Sequence, residues 1–453
     1  MRLGIRAAAP AVQRPANWRW NFLVFGGDIA FFTFGLNISS ALTILPLFVN
    51  HLTPSNVAVA LIAAVRNLGL YAPQLLVAPR VERLRHALPF ILVVTIFERI
   101  PFLFLALCAF WLSGTSPTLL LVVFFLLLLM QQGAGGLTYP PWLDLIARTI
   151  PSDWRGRFMG LWTGIGGIGG IAGAALGALL IARLAWPNDF AVIFSLTFAT
   201  MVVSFVLLAL GREPPRATDL SPQAPSPARG GEPEAIISGT PSPAHGGKGW
   251  GVGATVREQW ALLRADRPLQ YLVAANALMG IATMAGALFA ISALRLGGLN
   301  PPEVGALSTV LIIASTAGYF LWGTLGDRLG HRSVLIGTAL CAAGAAAVAL
   351  VAHGVAAYGM VFLLLGLHLS ALVISQLTFI TEFAPPARRP TYIALTSVAY
   401  APFAVGAPIL GGWLADRWGY VPVFVIAIAA GLAAAALYRL RVPRSRAYDA
   451  APA

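Results

Sequence analysis

Four carboxylate or guanidinium side chains fall well inside long apolar runs of this sequence: Asp28, Arg66, Glu98 and Arg99. A charge at the centre of a hydrocarbon layer costs about 2.5–3.5 kcal/mol on insertion scales and more in simulation, so such groups are functional candidates by default. The chemistry open to them is protonic. A carboxylate beside Arg66 or Arg99 stays ionised, whereas one left unpaired in a dry site holds a proton. Proton uptake that breaks such a pair is a coupling step; the competing reading is a static ion-pair network that staples helices together. Other chemistry has no sequence support. Cys108 and Cys341 both lie in apolar runs and form no metal spacing and no disulfide framework. No D-x-D, H-x-x-x-H or nucleotide-binding glycine loop occurs, so neither an enzyme nor a cofactor or metal is expected.

The elements that position these groups follow from composition. Of 453 residues, 58% are hydrophobic and 10% charged, against about 25% charged in an ordinary soluble domain; mean hydropathy is +0.78. Apolar runs near 20–49, 55–79, 88–112, 117–143, 158–183, 188–210, 269–294, 303–326, 333–352, 355–382, 391–415 and 419–440 are each long enough to cross a ~30 Å hydrocarbon core as a helix. They lack period-2 alternation, which argues against strands. The expected class is an all-α integral membrane protein of about twelve spans. Arginines collect in alternate loops (Arg80, Arg83 and Arg85; Arg148, Arg155 and Arg157; Arg212 and Arg216; Arg328 and Arg332; Arg388 and Arg389) and in both tails, while the opposite loops are nearly neutral. The positive-inside rule then places both termini in the cytoplasm and the protein in the cell (inner) membrane. The net charge of +13 is accounted for by this topology, and nucleic-acid binding is not expected.

Five regions follow: a cytoplasmic tail over 1–19, six spans over 20–211, a Pro- and Gly-rich cytoplasmic linker over 212–258, six more spans over 259–440, and a tail over 441–453. The linker repeats PSPARGG (225–231) as PSPAHGG (241–247) and has little to bury, so it reads as disordered. Deleting 217–252 is expected to leave transport near normal in a flux assay; loss of flux from a folded variant would overturn that reading. The two six-span halves look like diverged copies. Pro151, Arg155, Gly173 and Gly177 align with Pro385, Arg389, Ala407 and Gly411 at one constant offset, and VERLRH (81–86) aligns with GDRLGH (326–331), setting Glu82 and Arg83 opposite Asp327 and Arg328.

Between the second and third spans of the second half stands GTLGDRLGHR. It resembles the signature loop of the major facilitator superfamily, G-x-L-[GAS]-D-R-x-G-x-[KR], at every fixed position: Gly323, Leu325, Gly326, Asp327, Arg328, Gly330 and Arg332. The resemblance implies two pseudo-symmetric six-helix bundles, a substrate site between them near the bilayer midplane, and a loop that latches the cytoplasmic side through charge pairs and a neighbouring helix end. The first-half copy departs from the pattern, with Glu82 for the aspartate and Arg85 for a glycine, and is expected to latch more weakly. Span four carries Gln132, Gly133 and Gly135 of the drug-antiporter pattern R-x-x-Q-G-x-G, with Leu129 in place of the arginine. Span five keeps the antiporter glycine spacing at Gly160, Gly169, Gly173 and Gly177, with Ala174 and Ala178 for the proline and last glycine. These patterns are closest to bacterial drug-efflux-like permeases.

By the same resemblance, spans one, four, seven and ten line the cavity. The candidate contacts are Asn37, Gln131, Gln132, Tyr139, Asn276, His368 and Gln376. The paucity of charge among them argues for a neutral or amphipathic solute. Span one lines the cavity in this family and span three lies at the periphery, which favours Asp28 for coupling and a structural role for Glu98 and Arg99. The resulting expectation is a secondary transporter working by alternating access, proton-coupled, in the direction of efflux, whose partners are a small solute, protons and the bilayer. A monomer suffices for that mechanism. The alternatives are a non-transporting membrane sensor or assembly factor on the same scaffold, and a membrane-embedded lipid-linked transferase.

Overall fold

A computed structural model describes residues 14–15, 17–81, 86–214, 263–383 and 389–443. Among these residues there is no strand. Backbone polar groups have no water to bond in hydrocarbon, and the helix satisfies them within one segment. Eleven helical segments are long and apolar enough to cross a membrane, and a further 30-residue helix, Arg389–Trp418, packs among them. The protein is therefore an all-α integral membrane protein of two pseudo-symmetric six-helix bundles.

Ten spans are single helices: Asn56–Val81 (two), Leu88–Leu112 (three), Pro117–Thr149 (four), Ser152–Arg183 (five), Asn188–Ala209 (six), Pro301–Leu329 (eight), His331–Ala349 (nine), Gly354–Phe383 (ten), Arg389–Trp418 (eleven) and Tyr420–Leu440 (twelve). Spans one and seven are each broken. Span one runs Trp18–Ile38 and resumes at Ile44–Leu52; span seven runs Arg267–Ala282, passes through a 3-10 turn at Thr283–Ala285 and resumes at Leu288–Arg295. Each was expected to be one continuous helix. Non-helical backbone at membrane depth survives only where protein buries it, and Ser39, Ser40, Thr43, Met284 and Ala285 are all buried.

The internal repeat is visible in the packing. Span one packs on five and six, two on four, three on four and six; seven packs on eleven and twelve, eight on ten, nine on ten and twelve. Between the bundles, two packs on eleven and five on eight. Small residues allow these approaches: a Cβ at Gly136 would stand 2.5 Å from the Leu70 carbonyl oxygen, and one at Gly177 2.5 Å from that of Ile38.

The two ends of the molecule differ. Towards the end remote from the termini, one continuous apolar core draws residues from all twelve spans, among them Phe48, Val59, Phe124, Phe194, Leu288, Leu307, Phe362 and Phe424. Towards the terminus-bearing end the core divides. One part, around Phe25, Leu88, Leu145 and Phe158, belongs wholly to the first bundle; the other, around Leu272, Leu335, Phe379 and Tyr438, belongs wholly to the second. Among the described residues the bundles thus share one core at the far end and keep separate cores at the end that carries the termini.

Candidate functional site

Three of the four charged side chains singled out in the apolar runs meet. Asp28 of span one, with 8% of its side chain exposed, receives Arg99 Nη2 of span three at 3.3 Å. The Glu98 carboxylate lies 3.7 Å from Arg99 Nη1. Arg99 is a central tie: its Nε donates to the Met201 carbonyl at 3.0 Å, Nη1 to the Thr95 carbonyl and hydroxyl, and Nη2 to Ser204 Oγ at 3.0 Å. Ser204 in turn donates to Asp28 at 2.5 Å, and Thr95 to Glu98 at 3.0 Å. The guanidinium also lies 5.7 Å from the Phe32 ring centroid and 5.6 Å from that of Phe205, within cation–π range.

This cluster forms one wall of a cavity of about 220 Å³ between spans one, three, four and six, on the side where the bundles are separate. The other walls are aromatic and aliphatic, with Phe32, Tyr139, Trp142, Ile91 and Leu208, together with Thr33 and Thr138. Two carboxylates share one guanidinium here. The surplus negative charge is the chemical capacity of the site: it takes up a proton, or it faces a positively charged group. Gly135 leaves room for Glu98, since a Cβ there would stand 3.0 Å from Glu98 Oε1. Span three thus turns Glu98 and Arg99 inward to Asp28, into the interior of the bundle rather than its periphery.

Arg66 does not join the cluster. It is half-buried on span two and makes no hydrogen bond or ion pair among the described residues. The polar candidates scatter. Tyr139 is half exposed on the cavity wall. Asn37 donates to the Thr33 carbonyl at 2.8 Å and faces Gly170 of span five. Gln131 is buried, and the Cβ of Gln132 lies against Gly69 of span two. Asn276 accepts from the Tyr438 hydroxyl at 2.6 Å, so it points at span twelve. His368 is 1% exposed and its Nδ1 meets the Thr338 carbonyl at 3.1 Å, so it points at span nine. The side chains of Gln376 and Asp327, and the whole of Glu82 and Arg83, lie outside the described residues. Of the signature loop, Gly330 ends span eight with φ +82°, a conformation that favours glycine. Arg332 donates to the Val442 carbonyl at 2.8 Å, Leu325 packs beside Trp322, Arg328 is exposed, and Gly326 lies under the His331 ring. A Cβ added at Gly323 would meet open space. Among the described residues no group of three His, Cys, Asp or Glu side chains is placed to hold a metal ion.

Comparison with known proteins decides the family. The model of the Major Facilitator Superfamily matches residues 28–297 and 295–453. The chain belongs to that superfamily. It is 32% identical over 133 residues to the tetracenomycin C resistance and export protein of Streptomyces glaucescens, covering 29% of this chain and 24% of that one. It is 36% identical over 117 residues to the uncharacterized MFS-type transporter YfnC of Bacillus subtilis (strain 168), covering 26% of this chain and 28% of that one. The chain spans well under half the length of the curated relatives it matches. The fold is shared across almost the whole chain with two solved structures. The nucleoside transporter NupG superposes with TM-score 0.65 at 13% identity, over 92% of this chain and 97% of that one. A D-xylose-proton symporter superposes with TM-score 0.62 at 15% identity, over 95% and 97%. The protein is a multi-pass membrane protein of this superfamily.

At the joined end the bundles also exchange polar contacts that sequence reasoning missed. Thr43, in the break of span one, shares a buried hydrogen bond with Ser308 of span eight. Arg295, closing span seven, donates from Nη2 to Asn50 at 2.6 Å and to the Pro54 carbonyl at 2.8 Å, and from Nη1 to Asn56 at 3.2 Å. Thr95 had a signal, since it stands four residues before Arg99 and so on the same helix face. Arg295 had one as well, being an arginine in an otherwise neutral far-end loop. Ser204 and Ser308 had none, as hydroxyls are common in membrane helices.

Proposed function

We propose that the protein exports a small neutral or amphipathic solute by alternating access, driven by protons, with both termini cytoplasmic in the cell (inner) membrane. The observation that carries alternating access is the unequal pairing of the bundles: one shared core at the far end, two separate cores at the other. Rocking the two bundles about the contacts of spans two with eleven and five with eight exchanges which end is sealed. Proton coupling is supported by the two carboxylates that share Arg99. A proton on Asp28 releases Nη2 and loosens the tie between spans one and three. The aromatic and aliphatic lining beside this polar wall suits an amphipathic solute. Efflux is supported by the antiporter-like glycines of spans four and five and by the relative named for tetracenomycin C export.

The test is flux into proteoliposomes under an imposed pH gradient. Asp28→Asn is expected to remove nearly all gradient-driven flux while the purified protein stays monodisperse; flux with unchanged pH dependence would take Asp28 out of the mechanism. Asp327→Asn is expected to slow turnover more than it weakens solute binding, because a latch acts on the exchange between states. Equal effects on both would count against the latch.

A further inference from the structure

The signature that closes span eight occurs a second time. Gly412, Leu414, Ala415, Asp416, Arg417 and Gly419 repeat G-x-L-[GAS]-D-R-x-G at the end of span eleven. Both helices stop on a glycine in the left-handed region, Gly330 at φ +82° and Gly419 at φ +79°. The two copies lie at opposite ends of the molecule, since span eight finishes at the terminus-bearing end and span eleven at the far end. Asp416 reaches into the other bundle. Its Oδ1 accepts from the Asn56 amide at 2.7 Å, and its Oδ2 from the Val57 amide at 3.1 Å and the Ser55 hydroxyl at 2.9 Å. Asn56 and Val57 are the first residues of span two, whose amides lack partners within their own helix and carry partial positive charge. Tyr420, just past the signature, donates to Asn56 Oδ1 at 2.7 Å and secures the same turn.

We propose that Asp416 is the latch of the far end: it caps span two while that end is closed, and its release lets that end open. The proposal rests on the alternating-access reading. The chemistry alone does not make a latch, as a second carboxylate shows. Glu213 accepts from the Ala87 and Leu88 amides at 2.9 and 2.8 Å and so caps span three. Glu213 stands just past the end of span six at Ala209, so acid and helix are both anchored in the first bundle and the cap persists through any rocking. Asp416 and span two belong to different bundles, so that cap exists only when the two are pressed together. Asp416 itself is exposed, while Ser55 and Val57 are half-buried and Asn56 is buried beneath them; water reaches the carboxylate and replaces its bonds on opening, so the contact biases the equilibrium without freezing it.

The test uses the full chain in nanodiscs, with Cys108 and Cys341 replaced by serine and spin labels attached at Gly114→Cys and Val351→Cys. These positions lie in far-end loops of opposite bundles; the first faces open space and the second is 76% exposed. Loss of an N-cap of ordinary strength predicts that Asp416→Ala raises the ratio of far-end-open to far-end-closed molecules about fivefold. Glu213→Gln is expected to leave the ratio unchanged. Asp416→Asn, which keeps the shape and one acceptor, is expected to shift it in the same direction by less, and gives the readout if the alanine variant does not fold. Two populations that neither Asp416 variant disturbs would overturn the latch alone, as would an equal shift from Glu213→Gln. A parent protein with a single far-end distance at every pH would overturn alternating access and the latch with it.

Discussion

Arg99→Leu is expected to destabilise the first bundle by about 3–5 kcal/mol, the usual cost of removing one partner from a buried ion pair. The measurement is the unfolding midpoint in detergent, with the fraction recovered as monodisperse protein. Arg99 joins three spans at once: its own helix through Thr95, span one through Asp28 and span six through Met201 and Ser204. Leucine fills the space but leaves two carboxylates facing each other without a cation. The informative companion is the triple variant Asp28→Asn, Glu98→Gln, Arg99→Leu. A wholly neutral cluster carries no uncompensated charge, and replacing an entire buried ionic group is often close to neutral. Its midpoint is therefore expected to return most of the way to that of the parent, while gradient-driven flux stays absent. Recovery of both would make the cluster a mere staple; loss of neither in Arg99→Leu would show that the network contributes nothing.

Much of this architecture was legible because lipid imposes it. Apolar runs of the right length gave the spans, and the arginines of alternate loops gave their pairing of ends, because both follow from transfer energies that act residue by residue. What the sequence withheld was direction around each helix axis. In a soluble amphipathic helix the polar face points to water, but here nearly every face is apolar, so a lone polar residue has no periodic background to orient it. The partners of Asn276 and His368, Tyr438 and Thr338 inside the second bundle, could therefore not be read from the sequence. For the same reason Glu98 and Arg99 could not be placed facing Asp28, nor Arg99 preferred to Arg66 as its partner. The breaks at Ser39–Thr43 and Thr283–Ala287 were hidden as well, since apolar sequence continues on both sides. The repeat of the signature at 412–419 is plain in the sequence, but its meaning depends on which bundle faces it, and that is a tertiary fact.

That dependence yields the second large effect, at Gly412. A Cβ there would stand 2.6 Å from the Asn56 carbonyl oxygen and 2.7 Å from Val57 Cα, both backbone atoms that cannot swing aside. At Gly136 the crowding is alike, with the Leu70 and Gly69 carbonyl oxygens at 2.5 and 2.7 Å. Valine at either site overpacks a helix crossing, at a cost of about 1–3 kcal/mol or more. The outcomes are expected to differ because of where each crossing lies. Gly136 and its neighbours share one bundle, so Gly136→Val strains every state and lowers the unfolding midpoint. Gly412 of span eleven meets span two of the other bundle at the joined end, so Gly412→Val strains only the far-end-closed state. At about 1.4 kcal/mol per tenfold, the population should move ten- to a hundredfold towards the far-end-open state, and flux should fall in proportion with little change in midpoint. Flux from Gly412→Val near that of the parent would mean that the bundles do not close upon each other there. A loss of stability matching that of Gly136→Val would mean that spans two and eleven move as one body, and the axis about which the two halves rock would have to be sought elsewhere.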